Sequence, residues 1–126
     1  MGILKDVRNG DNDAIRRAIE KGVDVNADEY GVTPLMLAAS LGRTDTIGLL
    51  VEAGADVNAA TKNGWTALMS AASKGRTEAA RALLEAGANV NAASNHYWTA
   101  VKIAARWKHT ETVDLLCSYG AVEELN

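Results

Sequence analysis

Two adjacent stretches of the chain carry the same residue order. Residues 30–62 read YGVTPLMLAASLGRTDTIGLLVEAGADVNAATK, and residues 63–95 read NGWTALMSAASKGRTEAARALLEAGANVNAASN. Outside them, YWTAVKIAARWKHTE at 97–111 and VDVNA at 23–27 continue the pattern in both directions. Glycines mark the period, since Gly22, Gly54, Gly87 and Gly120 follow one another at intervals of 32, 33 and 33 residues. A period of this length indicates stacked structural repeats.

Each repeat carries the signals of a short first helix. A hydroxyl just before the helix can accept a hydrogen bond from a first-turn amide that has no helical partner. The residues placed to do so are Thr33, Thr66 and Thr99. Pro34 follows at the first helical position, where its missing N–H costs nothing. We expect this helix to end at Gly42 or Gly75, because glycine takes the left-handed conformation without a Cβ clash.

A second helix is predicted to start near Thr44 and Thr77. An acidic residue comes just inside each start, where it favours the positive end of the helix dipole. Apolar residues at spacings of three and four continue to Gly54 and Gly87, which close the two helices. The stretch DVNAATKNGW at 56–65 then predicts a hairpin-like turn, called a tip below, that leads to the next repeat.

The motifs GVTPLMLAA at 31–39, the mid-repeat glycine and GADVNA at 54–59 together resemble ankyrin repeats, over essentially the whole chain. The resemblance implies an all-α repeat solenoid: one elongated domain of helix–loop–helix units joined by β-turn tips. The predicted units are an N-terminal capping repeat at 1–29, two internal repeats at 30–62 and 63–95, and a C-terminal capping repeat at 96–126. Polar residues on the first and last helices suit capping repeats, which need a polar outer face.

Composition excludes several other classes of protein. The 13 basic and 16 acidic residues give a net charge of −3, which argues against nucleic-acid and anionic-membrane partners. A single cysteine excludes an internal disulfide framework. No apolar run approaches the roughly 20 residues of a membrane span, and the N-terminus does not read as a secretory signal. These features predict a cytoplasmic protein.

No constellation of catalytic, cofactor-binding or metal-ligating residues is recognisable. His96 and His109 lack partners at the spacing of a metal site or a catalytic triad. His109 follows the mid-repeat turn, so a local hydrogen bond is expected of it. Cys117 is expected to be a small core residue on the apolar face of the last helix. We therefore predict a protein that is not an enzyme and takes no cofactor.

The resemblance implies binding of another protein or a peptide through the tips and the exposed, concave side of the first helices. Carried over by register, the predicted partner-binding residues are Tyr30, Val32, Leu41, Lys62, Asn63, Trp65, Lys74, His96, Trp98, Arg106 and Trp107. All three tryptophans fall in this set, and tryptophan dominates binding hot spots. The alternative for all three tryptophans is a purely structural role; the rings of Trp65 and Trp98 would then pack over the neighbouring tip.

The predicted surface becomes aromatic and basic toward the C-terminus, where Trp65, Lys74, His96, Trp98, Arg106 and Trp107 form a single patch. Such a patch suits a partner with an apolar anchor and acidic groups. A second interpretation is self-association through the same surface, which gives a homo-oligomer. A third interpretation is an engineered ankyrin binder. The variation of the framework between repeats argues against it, because Ala67 and Ala100 stand where Pro34 does.

Two glycine positions change identity in the last repeat. Tyr97 replaces Gly31 and Gly64 of the earlier tips, and Lys108 replaces Gly42 and Gly75. A left-handed backbone at a residue with a side chain costs about 1 kcal/mol. We therefore expect the last tip and the last turn between helices to change conformation.

Overall fold

The computed structural model describes residues 2–122, so Met1 and the last four residues of the predicted C-terminal unit lie outside it. Within this range the chain forms eight helices and no strand longer than an isolated bridge. The helices are α1 Leu4–Asn9, α2 Asn12–Glu20, α3 Pro34–Leu41, α4 Thr44–Glu52, α5 Ala67–Ser73, α6 Thr77–Glu85, α7 Ala100–Arg106 and α8 Thr110–Ser118. The predicted all-helical repeat solenoid is confirmed, and each predicted unit contains one helix pair. The unit boundaries themselves stay a prediction.

The helices form two layers. The first helix of each pair (α1, α3, α5, α7) packs against the first helix of the next pair, and the second helices (α2, α4, α6, α8) pack in the same order. Alanines such as Ala39, Ala72 and Ala104 are fully buried. Their small side chains allow close helix approach, while Leu50, Leu83 and Leu116 fill the space at equivalent positions of the outer layer. The core is therefore thin and continuous along the stack.

The predicted helix starts are confirmed. The hydroxyls of Thr33, Thr66 and Thr99 accept hydrogen bonds from Met36, Met69 and Lys102 backbone N–H groups at 3.2, 3.3 and 3.4 Å. Pro34 occupies the first helical position. Gly42 and Gly75 have φ of 71° and 67°, as expected for left-handed residues after the first helix.

The expected change of conformation in the last repeat is wrong. Tyr97 and Lys108 keep φ values of 63° and 61°, in the left-handed region of the glycines they replace. The same backbone hydrogen bonds hold the turn: the N–H of Lys108 donates to the Ala105 carbonyl at 3.1 Å, as that of Gly75 does to Ala72 at 3.2 Å. Repeat packing thus fixes the backbone and the side chain adapts to it.

Asparagine side chains at equivalent positions also link neighbouring repeats. Each asparagine side chain donates to a glycine carbonyl at the end of the next repeat's second helix and accepts from a backbone N–H two residues beyond that glycine. The three are Asn26, Asn58 and Asn91, and all six distances lie between 2.7 and 3.2 Å. This ladder fixes the position of each tip against its neighbour.

Candidate functional site

Three tryptophans meet in one open pocket of about 170 Å³. It is called the tryptophan pocket below. Its lining residues are Trp65, Trp98, Ile103, Arg106 and Trp107. Trp65 and Trp98 come from neighbouring tips, and the other three residues come from α7 and its C-terminal end. The pocket therefore spans two repeats and depends on their stacking.

The helix caps position the two tip tryptophans. Trp65 and Trp98 stand directly before the capping residues Thr66 and Thr99, whose extended backbone directs the chain into α5 and α7. In each tip, the tryptophan carbonyl accepts a backbone hydrogen bond from the residue four positions earlier, at 2.9 Å for Trp65 and 2.8 Å for Trp98. The two tips are joined because the Asn95 N–H donates to the Asn63 carbonyl at 2.8 Å.

Equivalent positions give the two tip tryptophans different surroundings. The indole N–H of Trp65 donates to the Ser70 hydroxyl at 2.8 Å, and its ring is half-buried against the core. Ile103 occupies the position equivalent to Ser70 below Trp98, so that acceptor is absent there. Trp98 also stays 37% exposed. A structural role thus explains the position of Trp65 better than the position of Trp98.

Trp107 is the most exposed tryptophan, at 59%. It caps the C-terminal end of α7 with φ −93°. The guanidinium carbon of Arg106 lies 5.8 Å from the Trp107 ring centroid, within the range of a cation–π contact. The last turn of α7 therefore presents an aromatic ring and a positive charge side by side.

Arg106 brings a positive charge to the tryptophan pocket, and the sequence segments that build the pocket carry no acidic residue. Residues 60–76 and 93–110, which include Trp65, Trp98 and the helices α5 and α7, contain no Asp or Glu. Their cationic residues are Lys62, Lys74, Arg76, Lys102, Arg106 and Lys108. Among the described residues, the ion pairs are Arg16–Asp13 and Arg81–Glu78, both in the second-helix layer. This face is thus locally basic although the chain is acidic overall.

The predicted binding residues divide into three groups. Trp65, Trp98, Arg106 and Trp107 share the tryptophan pocket. Tyr30, Lys62 and Asn63 line a separate cleft of about 890 Å³ between the first and second tips. The remaining four residues line neither the pocket nor the cleft. Leu41 is half-buried, and Val32, Lys74 and His96 are exposed.

Two residues of the site were missed by sequence reasoning. Ser70 and Ile103 lie inside first helices, where an apolar or small residue is simply core. The signal that marks them is their equivalence one repeat apart, combined with a tryptophan five residues before each. A hydroxyl under one indole and a methyl-bearing chain under the other predict different hydrogen-bonding states for the two rings.

The predictions for His109 and Cys117 have different outcomes. His109 makes the expected kind of contact, since its Nε2 lies 3.2 Å from the Ser73 carbonyl oxygen, although that partner is in the preceding repeat. The core assignment of Cys117 is wrong, because the residue is exposed. Leu115 and Leu116 take the buried side of α8, and the next residue lies about 100° further around the helix.

Within residues 2–122, no three His, Cys, Asp or Glu residues are grouped to hold a metal ion. None of the helices in this range is long and apolar enough to cross a membrane.

Comparison with known families gives one clear match. A sequence model described as ankyrin repeats (3 copies) matches residues 6–61 and 56–126. Together the two matches cover nearly the whole chain.

Curated relatives align with about half of the chain. They include the 2-5A-dependent ribonuclease of Mus musculus, 42% identical over 64 residues, and M-phase phosphoprotein 8 of Rattus norvegicus, 41% identical over 66 residues; each alignment covers 49% of this chain. An ankyrin repeat-containing protein of Schizosaccharomyces pombe is 37% identical over 57 residues, 44% of this chain. The aligned segments span 9%, 8% and 28% of these relatives. The similarity to the ribonuclease is thus confined to a small part of that enzyme.

Proposed function

The chain belongs to the ankyrin-repeat family, and we propose that it is a non-enzymatic module that binds a partner protein or peptide through the tryptophan pocket and the tips beside it. Ankyrin repeats are generally protein–protein interaction modules. The finer proposal concerns where this one binds and what it recognises.

The observation that carries the proposal is the grouping of three tryptophans in one open pocket. Exposed apolar patches on soluble proteins mark interaction sites more often than scattered single residues do. Tryptophan and arginine are the side chains most enriched among residues that dominate binding energy. The basic, acid-free surroundings favour a partner that contributes carboxylates together with apolar groups.

The stacked fold supports this role physically. Each tip is tied to the next repeat by backbone and asparagine hydrogen bonds, so little of the surface has to be ordered on binding. Preorganisation of this kind raises affinity by lowering the entropic cost of association.

A paired substitution tests the proposal. The native chain and a Trp98→Ser/Trp107→Ser variant are used to capture proteins from an extract of the source cells, and each captured protein is then purified and titrated by calorimetry. We expect at least a tenfold weaker affinity for the variant, because truncation of a hot-spot residue costs about 2 kcal/mol or more.

Far-ultraviolet circular dichroism and denaturant unfolding provide the folding control, and both rings are exposed enough for the variant to keep its fold. Equal affinities for the two chains, with folding intact, would place the binding surface elsewhere and reject the proposal.

A further inference from the structure

Two polar groups of the tryptophan pocket have no hydrogen-bond or ion-pair partner among residues 2–122. Among residues 2–122, no acceptor is in hydrogen-bond reach of the Trp98 indole N–H, whereas the Trp65 indole N–H is satisfied by Ser70. Arg106 contacts the Trp107 ring but no carboxylate of the described chain. One hydrogen-bond donor and one positive charge are therefore available beside an apolar depression.

The size of the depression suits a single side chain. Its volume is about 170 Å³, and an apolar cavity of roughly 150 Å³ accommodates a benzene molecule. A leucine, isoleucine, methionine or phenylalanine side chain is of this order. The three indole rings and Ile103 supply the apolar walls that such a side chain needs.

The charge of the site selects among possible occupants. An aromatic pocket can also hold a cation, which needs a negative or neutral rim. Here Arg106 lines the pocket, and residues 60–76 and 93–110 contain no carboxylate to offset it. A cationic occupant would be repelled and an anionic segment attracted.

We infer that the tryptophan pocket receives one apolar side chain from an acidic segment of the partner. A carboxylate beside that side chain pairs with Arg106, and a backbone carbonyl oxygen of the segment accepts from the Trp98 indole N–H. The inference rests on the proposed function and specifies the partner chemistry of the same site.

Ile103 is the specificity-determining residue in this arrangement. A serine at the equivalent position occupies the Trp65 indole with an internal hydrogen bond. Isoleucine leaves the Trp98 indole available and adds an apolar wall to the pocket. A ligand that covers this donor and supplies an acceptor is favoured over one that buries the donor without an acceptor.

Peptide titration followed by NMR tests the inference directly. The probe is the acetylated and amidated pentapeptide Asp-Glu-Leu-Glu-Asp, and the readout is the three indole N–H signals of the nitrogen-15-labelled chain. We expect the Trp98 and Trp107 signals to shift more than that of Trp65. Replacing the leucine of the peptide by alanine should weaken binding about tenfold or more, because a buried leucine side chain is lost. A Lys-Lys-Leu-Lys-Lys peptide should not bind.

Two substitutions in the chain separate the charge from the hydrogen bond. Arg106→Gln should lower the affinity for the acidic peptide severalfold and remove most of the salt dependence of binding. Ile103→Ser should give Trp98 an internal acceptor, move its free indole signal toward that of Trp65 and weaken binding. The matched control for charge is Lys21→Gln, which removes one positive charge from an exposed site at the end of α2.

The outcomes separate this inference from the proposed function. Equal binding of the leucine and alanine peptides, binding of the lysine peptide, or no shift at Trp98 and Trp107 would overturn the inference. If captured partners still require Trp98 and Trp107 in that case, the proposed function stands and only the anchor chemistry is wrong. Partners that bind the Trp98→Ser/Trp107→Ser variant normally would reject the proposed function as well.

Discussion

At the scale of single residues, the turn between the two helices of a repeat holds glycine at Gly42 and Gly75 and lysine at Lys108. A Cβ added at Gly75 would lie 2.6 Å from Nδ1 of His109, and one added at Gly42 would lie 2.9 Å from Cδ of Arg76. In both cases a side chain of the next repeat covers the turn. No later repeat among residues 2–122 covers Lys108, so its side chain meets no such obstacle. Only the strain of the left-handed backbone remains there.

Relief of that strain is measurable. Lys108→Gly should raise the free energy of unfolding by about 1 kcal/mol, because glycine adopts φ near 61° without a Cβ penalty. Denaturant unfolding monitored by circular dichroism gives the value.

Gly75→Ala is the matched substitution in the opposite direction. It should destabilise by more than 1 kcal/mol, since the new methyl group would meet both the strained backbone and the His109 ring. A Lys108→Gly variant no more stable than the native chain would show that the left-handed turn is not strained.

At the scale of structural elements, the asparagine ladder connects the ends of the second helices to the tips. Asn58 donates to the Gly87 carbonyl at 3.2 Å and accepts from the Asn89 N–H at 2.7 Å. The Gly87 carbonyl follows the end of α6, where helical carbonyls lack partners within the helix. The side chain therefore closes one repeat's helix while fixing the tip of the preceding repeat.

Loss of one rung should weaken the stack. Asn58→Ala removes both hydrogen bonds, and we expect a loss of about 1–2 kcal/mol in the free energy of unfolding, moderated by solvent exposure. The comparison is Asn63→Ala in the same tip, where the exposed side-chain amide makes no hydrogen bond within the described chain. Similar stability for the two variants would mean that the ladder follows from the fold without stabilising it.

At the scale of the whole molecule, charge is divided between the layers. Among residues 63–122, the acidic residues all lie on α6 and α8, and they are Glu78, Glu85, Glu111 and Asp114. Residues 60–76 and 93–110, which include α5 and α7, carry basic residues and no Asp or Glu. A net charge of −3 for the chain therefore conceals a positive face around the tryptophan pocket.

This division bears on self-association. A two-fold contact places the same surface against itself, so Arg106 and its neighbours would meet their own positive charges. We expect a monomer in light scattering coupled to size-exclusion chromatography over a wide range of protein concentrations. A dimer that disappears in the Trp98→Ser/Trp107→Ser variant would instead assign the face to self-assembly.

The fold could be predicted from the sequence because its signals are local and repeated. Threonine caps and left-handed glycines each act within a few residues of chain, and both recur from repeat to repeat in the structure. The grouping of Trp65 and Trp98 also followed from register, since equivalent tips stack side by side. The unit boundaries and the partner-binding role of the chosen residues stay predictions.

Other properties were decided by packing between repeats. Tyr97 and Lys108 stay left-handed against their own preference, because the hydrogen bonds and stacking of the whole unit outweigh about 1 kcal/mol at one residue. Cys117 lies outside the buried side of α8, which helical spacing alone did not resolve.

The sequence by itself thus determined the repeat, its helices and the surface that carries the aromatic residues. Only the tertiary structure decided that three tryptophans share one pocket, that Ser70 satisfies one indole and that Ile103 leaves another without a partner in the described chain. The physical reason is one of range. Capping and turn formation depend on neighbours in the chain, whereas a pocket depends on distances between side chains that stacking brings together.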